Sequence, residues 1–140
     1  MFQKDFILRM IEMMGDLITG LLGLIKKGEY PKVQETLENA YDEFLKEDAA
    51  FFRRIPMEKL SRTLLEEHNY NRGHLEILSQ LFFAEAELNY AQKNKDISLE
   101  YYQKALSLMD FVLKEEKTFS MEKTGRLEAI KLKIIELKGA

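Results

Sequence analysis

The chain contains no cysteine. That excludes a thiol nucleophile, a thiolate metal site and a disulfide together, and it suits the reducing cytoplasm in which we expect the protein to reside. Histidine occurs only at His68 and His74, and valine only at Val33 and Val112. Apolar–polar alternation of useful length is missing too, so strands have little to build on. The formal net charge is only −3, too small and of the wrong sign for a general attraction to nucleic acid or anionic membranes. The apolar stretch Met13–Ile25 is broken by Asp16 and Thr19 and is shorter than the roughly 20 residues a bilayer requires. A secretory leader would need a basic start and a small-residue cleavage site. Here Asp5 and Glu12 interrupt, and Lys26-Lys27-Gly28 follows, so the stretch reads as a buried helix. No catalytic or cofactor motif stands anywhere in the chain. We expect neither an enzyme nor a cofactor, and neither a nucleic-acid nor a membrane partner.

What is present is helical spacing. With 140 residues, 46% of them apolar, one domain can bury a core without disulfides. The first helix is predicted from about residue 2 to Lys27, with Phe2, Phe6, Ile7, Met10, Met14, Leu17, Ile18, Leu21, Leu24 and Ile25 on one broad stripe. Gly15, Gly20 and Gly23 each cost this helix roughly 1 kcal/mol against Ala, which predicts a neighbour packed close to its backbone there. Gly28 should cap its end, and Pro31 should open the next helix, whose inner face is Val33, Leu37, Ala40, Tyr41, Phe44 and Leu45. A third helix is predicted from Met57, after Pro56, to about His68. The fourth runs from about His74 to Lys93, and the fifth starts near Asp96 as its cap. Ser120 and Lys123 flank a sixth.

One phrase occurs twice. Gly28-Glu29-Tyr30-Pro31-Lys32-Val33-Gln34-Glu35-Thr36-Leu37-Glu38-Asn39-Ala40-Tyr41 and Asn94-Lys95-Asp96-Ile97-Ser98-Leu99-Glu100-Tyr101-Tyr102-Gln103-Lys104-Ala105-Leu106 are each a polar turn followed by an amphipathic helix. The second resembles the second helix of a tetratricopeptide repeat, with Tyr102 and Ala105 at the aromatic and close-contact positions. The first matches at Gly28 and Ala40, with Leu37 in place of the aromatic. The two alanines are 65 residues apart, against about 68 for two full repeats. The resemblance implies an all-α, tetratricopeptide-like array of about six helices over residues 1–140. Degenerate repeats would cover about 2–47 and 73–115, an inserted helix about 48–72, and a capping helix about 120–138. Over its length the chain also resembles a family of small bacterial proteins of unknown function. Gln3-Lys4-Asp5-Phe6-Ile7-Leu8-Arg9-Met10-Ile11-Glu12 and Glu67-His68-Asn69-Tyr70 carry that resemblance, which implies a bacterial source and a similar fold but no activity.

Few residues offer chemistry. His68 and His74, with Glu66, Glu67 and Glu76, could bind a metal or small molecule, although six-residue spacing puts the histidines on different faces of a continuous helix. Glu85 and Glu87 stand two apart on one helix and do not face each other, so each is expected to point into solvent. Arg53, Arg54, Arg62 and Arg72 concentrate positive charge around the insertion and form the candidate contact for an anionic protein partner. The competing use is ion pairing with Glu58, Glu66 and Glu67. Phe51-Phe52, Phe82-Phe83 and Tyr101-Tyr102 are adjacent aromatics that cannot both face one helical core. One of each pair must meet the insertion, another subunit or solvent.

A tetratricopeptide alignment on Gly28 would line a concave groove with Ile18, Leu22 and Ile25 of the first helix and Leu81, Ala84, Leu88 and Ala91 of the fourth. No carboxylate clamp is present in that set. An exposed groove of this composition is rare in soluble monomers. We therefore expect it to be covered partly by the chain itself and partly by a second copy in a homodimer. The function these observations imply is a non-enzymatic protein–protein interaction or scaffold module. A metal- or small-molecule-binding protein centred on His68 and His74 is the alternative.

Overall fold

The computed structural model describes the backbone of residues 2–116 and 120–139 and the side chains of 6–116 and 120–139. Phe2 of the predicted stripe lies outside the described side chains. Seven α-helices occur in the described residues, and no strand. They are α1 (Phe2–Lys26), α2 (Tyr30–Leu45), α3 (Ala49–Arg53), α4 (Leu60–Arg62), α5 (Arg72–Ala91), α6 (Lys95–Glu115) and α7 (Met121–Gly139).

Local signals place most boundaries. Gly28 ends α1 at φ +78°, a conformation open to glycine at little steric cost. Its N–H donates to the Ile25 carbonyl at 3.0 Å, and that of Glu29 to Leu24 at 3.0 Å, satisfying carbonyls the helix end would otherwise leave orphaned. Pro31 occupies the first turn of α2. Asp48 caps α3 by accepting from the Phe51 N–H at 2.9 Å. Ser120 Oγ accepts from the Lys123 N–H at 3.2 Å at the start of α7. Asp96 does not cap α6: that helix begins at Lys95, and Asp96 lies inside its first turn. A carboxylate there still opposes the positive end of the helix dipole.

The predicted helix from Met57 to His68 is not continuous. Met57–Lys59 is a 3-10 turn, Leu60–Arg62 one α turn, and Thr63–Glu67 a π turn. Only Leu60 and Leu64 of this segment are buried. Two anchors four residues apart hold the segment, and its backbone adjusts around them.

α5 is the hub. It packs against α1, α2 and α6, and α7 packs on α6 while reaching α5 through Lys123, Arg126 and Lys133. Leu75, Ile77, Leu78, Leu81, Phe82, Phe83, Ala84, Ala86 and Leu88 are buried around its whole circumference, the pattern of a helix with neighbours on every side. Adjacent aromatics are therefore both used. Phe82 faces Tyr41 and Tyr101, while Phe83 faces Tyr102 and the Arg126 guanidinium of α7. Phe52 stacks on Tyr41 at 5.8 Å and lies 6.3 Å from Tyr70. Leu81, Ala84 and Leu88, assigned to an open groove, are fully covered within the chain.

The glycines of α1 do not mark a close helix contact. A Cβ at Gly15, Gly20 or Gly23 would meet no atom within 4 Å. The close approach is at Gly73, where a Cβ would come within 2.2 Å of Ile7 Cγ2. There α1 crosses the first turn of α5.

Candidate functional site

The largest charge cluster sits beneath α3. Arg53 Nε and Nη2 donate to the two oxygens of Glu85 on α5 at 2.9 and 2.7 Å. Arg53 Nη1 lies 2.7 Å from Glu38 Oε1 on α2. Lys104 on α6 donates to the Arg53 carbonyl at 2.9 Å and pairs with Glu100 at 3.3 Å. Glu85 is 3% exposed, which overturns its expected solvent position. In a helix surrounded on all sides an acidic side chain stays inside, and the Arg53 fork compensates it. Burial pushes the Glu85 carboxyl up, and Arg53 pulls it back down. Burial opposes the charge on Arg53, but its hydrogen bonds to Glu85 and Glu38 outweigh that and raise its pKa. The buried Tyr41 hydroxyl makes no hydrogen bond among the described residues, and burial with the nearby Glu85 charge raises its pKa well above the ordinary value. Tyr101 is pushed up to about 12 by burial, then by Glu85. The shifts of Arg53, Tyr41 and Tyr101 move those groups away from proton transfer near neutral pH, while the Glu85 carboxyl moves upward, towards it. The cluster fastens α2, α3, α5 and α6 together.

The four arginines are dispersed. Arg53 is committed to that cluster, and its partners are Glu38 and Glu85 in place of Glu58, Glu66 or Glu67. Arg54 is exposed, with its Cζ 5.8 Å from the Phe51 ring centroid, and Arg62 is exposed. Arg72 Nη1 donates to the Glu115 carbonyl at 2.7 Å.

His68 and His74 belong to an aromatic ladder. Phe51 and His68 meet edge-on at 4.7 Å, His68 lies 6.4 Å from Tyr70, and Tyr70 stacks on His74 at 4.7 Å. His74 also completes a capping box at the start of α5. Its Nδ1 accepts from the Asn71 N–H at 3.0 Å, and its own N–H donates to Asn71 Oδ1 at 3.2 Å. That bond requires a neutral Nδ1, and burial lowers the His74 pKa. No group of three or more His, Asp or Glu side chains suited to a metal occurs among the described residues.

The open feature is a cleft of about 1010 Å³ between α1, the first half of α5 and the start of α7. Ile7, Leu8 and Ile11 of α1 form one apolar wall, with Met109 of α6 below. The other wall is charged. Lys123 bridges the buried Glu76 at 2.9 Å and also pairs with Glu116. Burial works against the Lys123 charge, but Glu116 and Glu76 more than restore it and raise its pKa. Arg126 lies with its Cζ 4.3 Å from the Phe83 ring centroid. Burial lowers its pKa, opposed by Glu122 and Glu87. Glu12, Asp16 and Glu122 stand exposed on the rim. Arg72 is the one member of the predicted arginine set that lines this cleft.

The sequence offered Glu76 only as a companion of the histidines and Lys123 only as a helix flank, and it assigned Arg126 no role. The signal was there: an acidic residue inside the nearly all-apolar run of α5 has to find a cation. Compared with family models, with curated proteins and with solved structures, the chain matches nothing. No helix among the described residues is long and apolar enough to cross a membrane.

Proposed function

We propose that this chain is a non-enzymatic interaction module, and that the α1/α5/α7 cleft receives an extended or helical segment of a protein partner. One observation carries the reading: an open cleft of about 1010 Å³ with an apolar wall on α1 facing a charged wall on α7. Peptide grooves combine these two elements, with apolar side chains for affinity and a few fixed charges for register. The Lys123–Glu76 pair, with Glu76 buried, supplies a polar contact already formed on the charged wall. Leu8, 51% exposed on the apolar wall, gives the cleft an accessible apolar contact.

A tetratricopeptide-like reading of the array supports the same role. In it α1/α2 and α5/α6 are two degenerate pairs, residues 48–72 the insertion, and α7 the cap. Ala105 is fully buried, as the close-contact position of that repeat requires. Ser79 Oγ donates to the Ala105 carbonyl at 2.9 Å, and Ser98 Oγ to Ala86 at 2.9 Å, closing α5 on α6.

Site-specific photocrosslinking in the native cell tests the cleft. A photoreactive phenylalanine analogue in place of Leu8 should capture a defined partner band. The same analogue in place of Glu35, exposed on α2, should not. Equal capture from both positions, or capture from position 35 alone, would defeat the assignment.

A further inference from the structure

The cleft leaves one surface of the molecule unaccounted for, the outer face of α7. Its inner face is settled. Leu127, Ile130, Ile134 and Leu137 are buried, the Lys133 ammonium lies 3.7 Å from the Tyr90 ring centroid, and Tyr90 donates its hydroxyl to Glu136. The opposite face is not polar. Met121 is 79% exposed, and Leu132 and Ile135 are 68% exposed each. These three fall on one line with Gly125, Glu128 and Gly139, which are also exposed. Along the helix the line advances by alternating steps of four and three residues, the spacing of a coiled-coil seam.

The edges of that seam are segregated by charge. One edge carries Glu122, Ala129 and Glu136, and the other carries Thr124, Lys131 and Lys138. This decides orientation. If two such helices lie antiparallel, like edges meet, and Lys faces Lys while Glu faces Glu. If they lie parallel, each edge meets the opposite edge, and Lys131 of one copy stands five residues before Glu136 of the other, the usual seam-flanking pair; within one copy Lys131 lies 3.6 Å from Glu128 and Glu136 accepts from Tyr90, so the pairing shares both groups with these contacts. The helix is therefore complementary to itself in one orientation only.

We propose that the outer face of α7 pairs with α7 of a second copy of this chain, in parallel, through Met121, Leu132 and Ile135 with Lys131–Glu136 ties on both flanks. Glu128 sits in the seam and meets its own symmetry mate, and like charges in contact oppose association. The dimer is accordingly weak and reversible, and neutralising Glu128 strengthens it.

Sedimentation of the intact chain between about 10 and 500 µM should show the mass rising from 16.5 kDa towards twice that value. Glu128→Leu should tighten association about tenfold or more, Leu132→Glu should abolish it, and Lys131→Glu should weaken it. Lys131→Glu combined with Glu136→Lys should restore it. Because the chain has no cysteine, orientation can be read chemically. Leu132→Cys should oxidise to a covalent dimer, and Glu43→Cys on α2 should not. A constant 16.5 kDa mass for both the intact chain and Glu128→Leu overturns the proposal. So does faster crosslinking between Met121→Cys and Gly139→Cys in a mixture than between two Leu132→Cys chains, which would mean an antiparallel pair.

Discussion

Arg53 and Glu85 are 32 positions apart in the chain and joined by two parallel hydrogen bonds of 2.9 and 2.7 Å. The carboxylate is almost wholly buried in the hub helix α5, while the guanidinium reaches it from the five-residue helix α3. The pair adds a polar anchor to a segment that also buries Ala49, Phe52 and Ile55.

Breaking that pair should be expensive. Removing one partner of a buried ion pair costs about 3–5 kcal/mol. Arg53 keeps part of its side chain in solvent, so Arg53→Met is expected at the lower end, about 3 kcal/mol. The cost should shrink on acidification, because the abandoned Glu85 has its pKa raised by burial and can then fold protonated. Arg53→Met with Glu85→Leu should recover most of the loss. Urea denaturation at two pH values checks all three statements.

Ala105 is closed in between α5 and α6, with its carbonyl held by Ser79. Ala105→Leu should therefore overpack the interface and destabilise by about 1–3 kcal/mol. An unchanged denaturation midpoint would contradict the close contact.

Gly73 and Gly20 should respond in opposite directions. Gly73→Ala drives a Cβ into Ile7 Cγ2 at 2.2 Å. Ile7 is branched and cannot swing aside freely, so net destabilisation of about 1 kcal/mol or more is expected despite the better helix propensity. Gly20→Ala meets nothing and should stabilise by about 0.5–1 kcal/mol. Thermal melts of the two variants decide it.

His74 should make stability sensitive to mild acid. Its pKa is lowered in the folded state by burial, so the neutral form is favoured on folding. The contribution is complete above the unfolded value of about 6.5 and is lost as pH falls through the folded value, when Nδ1 protonation breaks the capping box. His74→Gln should flatten the dependence below about pH 6.5, measured as the denaturation midpoint against pH.

Features whose cause is local were legible in the sequence. Gly28, Pro31 and Ser120 act within one helical turn, and the structure places each at the boundary it signalled. The apolar face of α2 needed only its spacing, and so did the stripe of α1 from Ile7 onward; Phe6, placed on that stripe, is 62% exposed. The apolar run around Glu85 signalled, as at Glu76, that a cation is needed, but not which one, because Arg53 lies on another helix. The glycines of α1 misled for a related reason. Their helix cost is a local quantity, whereas the presence of a close neighbour is a tertiary one, and that neighbour occurs at Gly73.

By itself, then, the sequence determined an all-helical chain, most of its helix boundaries and the residues too apolar to remain in water, because hydrogen-bonding period, capping and hydrophobicity are properties of short windows. The tertiary structure alone decided that α5 is surrounded on every side, that Arg53 serves Glu85 and Glu38, that Ile18, Leu81, Ala84 and Leu88 are buried within the chain while Leu22, Ile25 and Ala91 are only partly so, and that an open cleft lies between α1 and α7. Those outcomes depend on which faces meet across dozens of residues. No window of sequence contains that distance; only the packed chain does.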